Sequence, residues 1–157
     1  MDQTTIADID IQQISTIEQI QSCYKVMLQL RPHLTEERTF IEQVQRQIAD
    51  GYQLACCQEG GKVIAVAGFR FLEFLAWGKV LYIDDLITDS ETRKNGHGGK
   101  LLKWIIALAK NENCDQVHLD SGPQRYDAHR LYLNHGFKII GHHLALDFKD
   151  LNYHKNI

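Results

Sequence analysis

The sequence predicts an α/β protein in which helices flank a sheet of mixed direction, and three observations carry that reading. Its 157 residues amount to about one domain of ordinary size, so residues 1–157 are expected to form a single domain. Period-two and helical-period stretches follow one another in the order β-α-α-β-β-β-α-β-α-β-β, which fits neither an all-helical nor an all-β chain. A Gly-Gly turn between two β-branched and aromatic runs marks an antiparallel hairpin inside that order.

The elements follow in sequence. Residues Ile6 to Ile11 alternate apolar and polar and predict a first strand. Ser15 and Glu18 have the spacing of a capping box for a helix reaching about Leu30, which Pro32 stops. Thr35 is a candidate N-cap for a second helix, where Phe40, Ile41, Val44 and Ile48 recur at helical spacing until Gly51. Strands are predicted at 52–58 and 63–75 about the turn Glu59-Gly60-Gly61-Lys62, and at 79–89 after the break at Trp77-Gly78. Residues 97–113 form a strongly amphipathic helix. A short strand at 116–121, a helix from about Asp127 to His135, and a closing pair of strands around FKII and HHLALDF complete the chain.

Composition narrows the function classes. The formal charge is −3, from 17 basic and 20 acidic side chains, which argues against a basic face for nucleic acid. The first residues lack the basic and apolar regions of a signal peptide, and no apolar run approaches the roughly 20 residues needed to span a bilayer. A cytoplasmic protein without a membrane partner is expected. Cys23, Cys56, Cys57 and Cys114 form no CxxC pair and read as small apolar fillers. The eight histidines show no metal-ligand spacing, so no metal is expected. Trp77 and Trp104 read as packing residues.

The most informative stretch joins the strand ending near Thr88 to the helix beginning near Gly98. Glycines at a strand-to-helix turn admit a ligand close to the backbone, and the unsatisfied N–H groups of the helix start attract an anion. Arg93, Lys94 and Lys100 add positive charge there. A P-loop would need Ser or Thr where Leu101 stands and Gly where Lys94 stands, and a dinucleotide fingerprint starting at Gly96 would need Gly at 101. Neither template fits.

The segment Arg93-Lys-Asn-Gly96-His-Gly98 instead resembles the R-x-x-G-x-G pyrophosphate loop of the GNAT superfamily of N-acetyltransferases. Downstream, Ala128, Tyr132, Gly136 and Phe137 are similar to that superfamily's A-x-x-x-Y-x-x-x-G-F helix and turn. The resemblance extends over nearly the whole chain and implies a single-domain, mostly antiparallel sheet whose central strands splay apart around the pantetheine arm of acetyl-CoA. It implies that the backbone of Leu86, Ile87 and Thr88 pairs with the pantetheine amides. It likewise implies that Arg93, Lys94, Asn95, Gly96, His97, Gly98, Gly99 and Lys100 hold the pyrophosphate, His97 through its backbone.

The implied chemistry removes a proton from an amine, attacks a thioester carbonyl and expels a thiolate whose conjugate acid has a pKa of about 8.5. By the resemblance Tyr132 is the general acid; its alternative is aromatic packing in the last helix. A backbone N–H near Leu86 is the natural oxyanion donor. The general base falls to Asp84 or Asp85, neighbours whose side chains should point to opposite faces of a strand, with a structural ion pair as the alternative for each. Glu73 is a further candidate. Asp120 and Ser121 would flank the acetyl group and acceptor, or else cap the turn at Gly122-Pro123. Arg125 stands where many family members carry a cofactor-contacting Asn, and arginine cannot accept a hydrogen bond.

These residues point to direct acetyl transfer from acetyl-CoA to a primary amine, on a small molecule or a protein. The carboxylates favour a cationic acceptor. A non-catalytic acyl-CoA sensor is the competing class. A homodimer through the final strands is the oligomer that the resemblance implies.

Overall fold

Strand β1 (Ile9–Ile14) runs directly into helix α1 (Ile17–Leu30), and a side-chain cap makes the turn. The Gln19 N–H donates to the Thr16 hydroxyl at 3.2 Å, and the Thr16 N–H donates to the Gln19 carboxamide oxygen at 3.0 Å. The capping box thus lies one residue beyond Ser15 and Glu18, because it needs only an acceptor oxygen at the third helical position, which glutamine supplies. The structure is a computed structural model that describes residues 9–93 and 95–150; the predicted strand residues Ile6 to Asp8, and Lys94, lie outside it.

Helix α1 ends where the sequence requires. Arg31, with φ −121° and ψ 70°, has left the helical region, as a residue before proline must. Helix α2 (Glu37–Ala49) is capped at Glu36 and not at Thr35, with no side-chain bond to its first turn. The Glu36 carboxylate accepts from the Thr39 hydroxyl at 3.1 Å instead.

Five strands form one sheet in the order β1-β2-β3-β4-β5, with β2 (Gln53–Glu59), β3 (Lys62–Phe74), β4 (Gly78–Thr88) and β5 (Gln116–Leu119). Pairing is antiparallel from β1 through β4 and parallel between β4 and β5, the mixed and mostly antiparallel arrangement expected. Gly60 and Gly61, at φ 57° and 78°, supply the two left-handed residues of the β2–β3 turn. Helix α3 (His97–Asn111) makes the crossover that a parallel β4–β5 pair demands.

The core lies on both faces of this sheet. On one, Ile20, Cys23, Met27, Phe40 and Val44 from α1 and α2 pack with Leu54, Cys56, Val66 and Ile87. On the other sits α3, whose Trp104 meets Phe69 edge-on at 6.3 Å. Cys56 and Cys57 are both fully buried, as small apolar fillers would be.

Two irregularities in β4 matter for function. Asp85 pairs with Gly68 but Ile83 pairs with Phe69, so Asp84 is an extra, bulged residue. Partnership with β5 ends at Ile83, leaving residues 84–88 with β3 alone among the paired strands. Pairing between β4 and β5 thus ends at the residue before the bulge.

The chain divides into two compact units, Met1–Leu119 and Asp120–Ile157. The second contains helix α4 (Tyr126–Asn134), and Gly136 at φ 89° ends it in the left-handed conformation. The predicted strands around FKII and HHLALDF do not form: no strand is present from 137 to 147. Alternating apolar residues specify an extended chain, but a strand also needs a partner ladder, which the sequence of this segment alone does not supply. No helix among the described residues is long and apolar enough to cross a membrane.

Candidate active site

The bulge at Asp84 gathers what strict alternation would separate. An extra residue shifts the pleat by one, so Tyr82 and Asp84 before it share a face with Asp85 and Ile87 after it. Tyr82, Asp84 and Asp85 accordingly all line one cleft of about 400 Å³, together with Met27 of α1, Arg31 and His33 just after it, and Phe40, Val44 and Gln47 from α2. The expectation that only one of the two aspartates can face the cleft is corrected by the bulge.

Both carboxylates are ion-paired. Asp84 receives the Arg70 guanidinium through Nε at 3.0 Å and through Nη2, a two-pronged bond from the neighbouring strand. This pairing pushes the Arg70 pKa further up. Asp85 receives Arg31 Nε at 2.9 Å on Oδ1 and the Tyr52 hydroxyl at 2.9 Å on Oδ2. Burial, and then the negative charge of Asp85, raise the Tyr52 phenol well above its usual range, so it stays protonated and donates. Arg31 Nη2 also donates to the Asp84 carbonyl at 3.0 Å.

Glu73 does not join them. It pairs in register with Lys79 near the far end of the hairpin, five residues along β4 from Asp84, or roughly 17 Å. Its side chain is exposed.

Leu86, Ile87 and Thr88 continue β4 past the bulge toward α3. Buried Asp89 follows, and three groups fix it: the Gln29 amide at 3.1 Å, the Glu91 N–H at 3.2 Å, and Lys62 at 3.9 Å. Chiefly through the Gln29 bond, its carboxyl is held below the usual carboxylate range. The turn that follows, with the Thr92 N–H donating to the Asp89 carbonyl at 3.0 Å, leads to Arg93.

Gly96 is the N-cap of α3 at φ 80°, a left-handed conformation that favours glycine. It has no side chain with which to satisfy the N–H groups of His97, Gly98 and Gly99, and Lys100 takes up the first helical bond, to the Gly96 carbonyl at 3.1 Å. Asn95, Gly96 and Lys100 are exposed there. The His97 ring, by contrast, is only 3% exposed and sits 3.6 Å from the Glu59 carboxylate.

In the second unit, Tyr132 is buried and its ring lies 5.8 Å from that of Phe137. Burial raises its phenol above the usual value, partly offset by Arg125, so it is protonated at neutral pH. Asp120 lies 3.2 Å from the His143 ring, and the Ser121 hydroxyl is buried without a partner among the described residues. Among the described residues, no three His, Cys, Asp or Glu side chains are grouped to hold a metal ion.

Comparison with known proteins decides the family. Residues 15–137 match the profile of the acetyltransferase (GNAT) family. The chain belongs to that family. A relative from Bacillus subtilis (strain 168), described as an uncharacterized N-acetyltransferase, YhdJ, is 31% identical over 133 residues, covering 83% of this chain and 93% of its own. Among solved structures, an aminoglycoside N-acetyltransferase, AAC(6')-Iy, in complex with CoA superposes with a TM-score of 0.79 at 14% identity, over 93% of this chain and 98% of that one. A ribosomal-protein-alanine N-acetyltransferase from Brucella melitensis biovar Abortus 2308 gives 0.78 at 12% identity, over 90% and 99%. At such identities these two show that the GNAT fold is shared.

Three residues lining this GNAT cleft, Arg31, His33 and Tyr52, escape a reading of the sequence, as does Arg70, the partner of Asp84. Arg70 carries the one available signal, a charge set between Phe69 and Phe71 in a mostly apolar strand, which calls for a partner just as the two aspartates do.

Proposed function

We propose that this GNAT acetyltransferase moves an acetyl group directly from acetyl-CoA to a primary amine, in the cytoplasm. The observation that carries the reading is the bulge at Asp84, where two carboxylates meet a cleft just beyond the last residue of β4 that pairs with β5.

Each step has a residue to serve it. Arg93, Asn95 and Lys100 flank the start of α3, where the N–H groups of His97, Gly98 and Gly99 and the helix dipole suit a pyrophosphate, and Lys94 is assigned to the same loop from its place in the sequence. The unpaired edge of β4 at Leu86, Ile87 and Thr88 offers backbone groups to the pantetheine amides. Asp84 or Asp85, each retaining acceptor lone pairs beside its arginine, takes the ammonium proton, directly or through water. The freed amine forms a C–N bond to the thioester carbonyl carbon; the C–S bond then breaks, Tyr132 donates its phenolic proton to the departing thiolate, and the second proton lost from the nitrogen returns through water to restore the phenol. Asp120 and Ser121 are assigned to the acceptor side. A homodimer is also proposed, because Ile139, Leu144 and Phe148 expose apolar side chains.

The test is acetyl-CoA-dependent thiol release across a panel of amines, with the acetylated product identified by mass. Turnover that forms one N-acetyl product per CoA supports the reading. Tight CoA binding without turnover on any amine makes the protein an acyl-CoA sensor instead.

A further inference from the structure

We propose that the acceptor is an amine carrying its own carboxylate, of amino-acid size, with that carboxylate taken by Arg31; the inference rests on the acetyl-transfer reading above. It begins with the charges. Asp84 is matched by Arg70 and Asp85 by Arg31, so the four groups sum to zero. A polycation entering this cleft would lose hydration without meeting net negative charge, and a neutral zwitterion suits it better.

Arg31 then supplies the complementary donor. Its Nε and Nη2 are spent on Asp85 and the Asp84 carbonyl, whereas Nη1, with two N–H groups, makes no hydrogen bond among the described residues. The side chain is 41% exposed and lines the cleft beside His33. A guanidinium with unspent donors is the group best matched to a carboxylate.

The donor is held in place before any acceptor arrives. Leu34 N–H bonds the Arg31 carbonyl at 3.0 Å, and the Tyr24 hydroxyl bonds the Leu34 carbonyl at 2.8 Å. Arg31 bonds Asp85 Oδ1 at 2.9 Å, so a carboxylate on its remaining donors enters the same cleft as the two aspartates to which the acetyl-transfer reading gives the amine's proton. The cleft volume of about 400 Å³ is at the small end for ligand pockets, and Met27, Leu34, Phe40 and Val44 give it an apolar wall for an aliphatic or aromatic side chain.

Matched pairs test this: leucine against 3-methylbutylamine and phenylalanine against phenethylamine, with spermidine as the polycation, all followed by thiol release. The expected result is a kcat/KM about tenfold or more higher for each amino acid than for its decarboxylated partner. Arg31→Gln should collapse that ratio toward one, and Arg31→Lys should restore part of it. The wild-type ratio stands independently should Arg31→Gln fail to fold. Preference for the decarboxylated amines or spermidine overturns this proposal and leaves acetyl transfer intact; no thiol release with any amine overturns both.

Discussion

The Tyr52 hydroxyl donates to Asp85 Oδ2 at 2.9 Å by passing directly over Gly68, the residue paired with Asp85 on the next strand. This contact ties the start of β2 to the bulge in β4 across the intervening strand. Gly68 is required because any Cβ there would be driven into the Tyr52 phenol. Gly68→Ala should therefore cost about 1–3 kcal/mol in a denaturant titration. Gly68→Ala combined with Tyr52→Ala should recover part of that loss, and a Gly68→Ala protein of wild-type stability would refute the packing account.

The two aspartates should differ in what their loss does. Asp85 joins α1, β2 and β4 through Arg31 and Tyr52, whereas Asp84 joins only two adjacent strands through Arg70. Asp85→Asn is expected to destabilise by about 1–3 kcal/mol, the smaller figure reflecting the solvent around Arg31, and Asp84→Asn by less. Equal losses in chemical denaturation would contradict this ranking.

Asp89 makes stability depend on acid. Its carboxyl titrates below its unfolded value because the charged form accepts from Gln29 and the Glu91 N–H. A depressed carboxylate contributes its full stability above about pH 4, its unfolded pKa, and loses it as pH falls through the folded value. Thermal melts from pH 7 to 3 should show Asp89→Asn less stable than wild type at pH 7, with the two curves converging in acid. A constant gap would argue against the linkage.

For Tyr132, a phenol kept protonated by burial, Phe is the informative substitution. Tyr132→Phe should lower kcat about a hundredfold while leaving acetyl-CoA affinity nearly unchanged. An unchanged kcat would return Tyr132 to a packing role beside Phe137.

Gly96 tests the pyrophosphate loop. At φ 80° a β-branched residue is strained, and Gly96→Val should both cost about 1–2 kcal/mol and abolish the rise in Tm that CoA gives the wild type. If CoA still stabilises the variant fully, the pyrophosphate binds elsewhere.

Much of the fold is legible in the sequence because its signals are local. The Gly60-Gly61 hairpin, the stop at Pro32 and the amphipathic α3 each depend on residues within a few positions of one another. Capping is legible only to within a residue, since Thr16 with Gln19 and Ser15 with Glu18 offer the same spacing and the chain uses the first. The stretch from 137 to 147 shows the limit from the other side: alternation is present, yet no strand forms.

The sequence by itself determined the family, the glycine loop at the start of α3, and the presence of two adjacent carboxylates in an apolar strand. Tertiary structure decided which way those carboxylates face and what holds them. A bulge follows from cross-strand register, and register is set by how whole strands pair, not by the alternation within one of them. The partners Arg31, Tyr52 and Arg70 come from three separate elements, and only the packed sheet and helices bring them to Asp84 and Asp85.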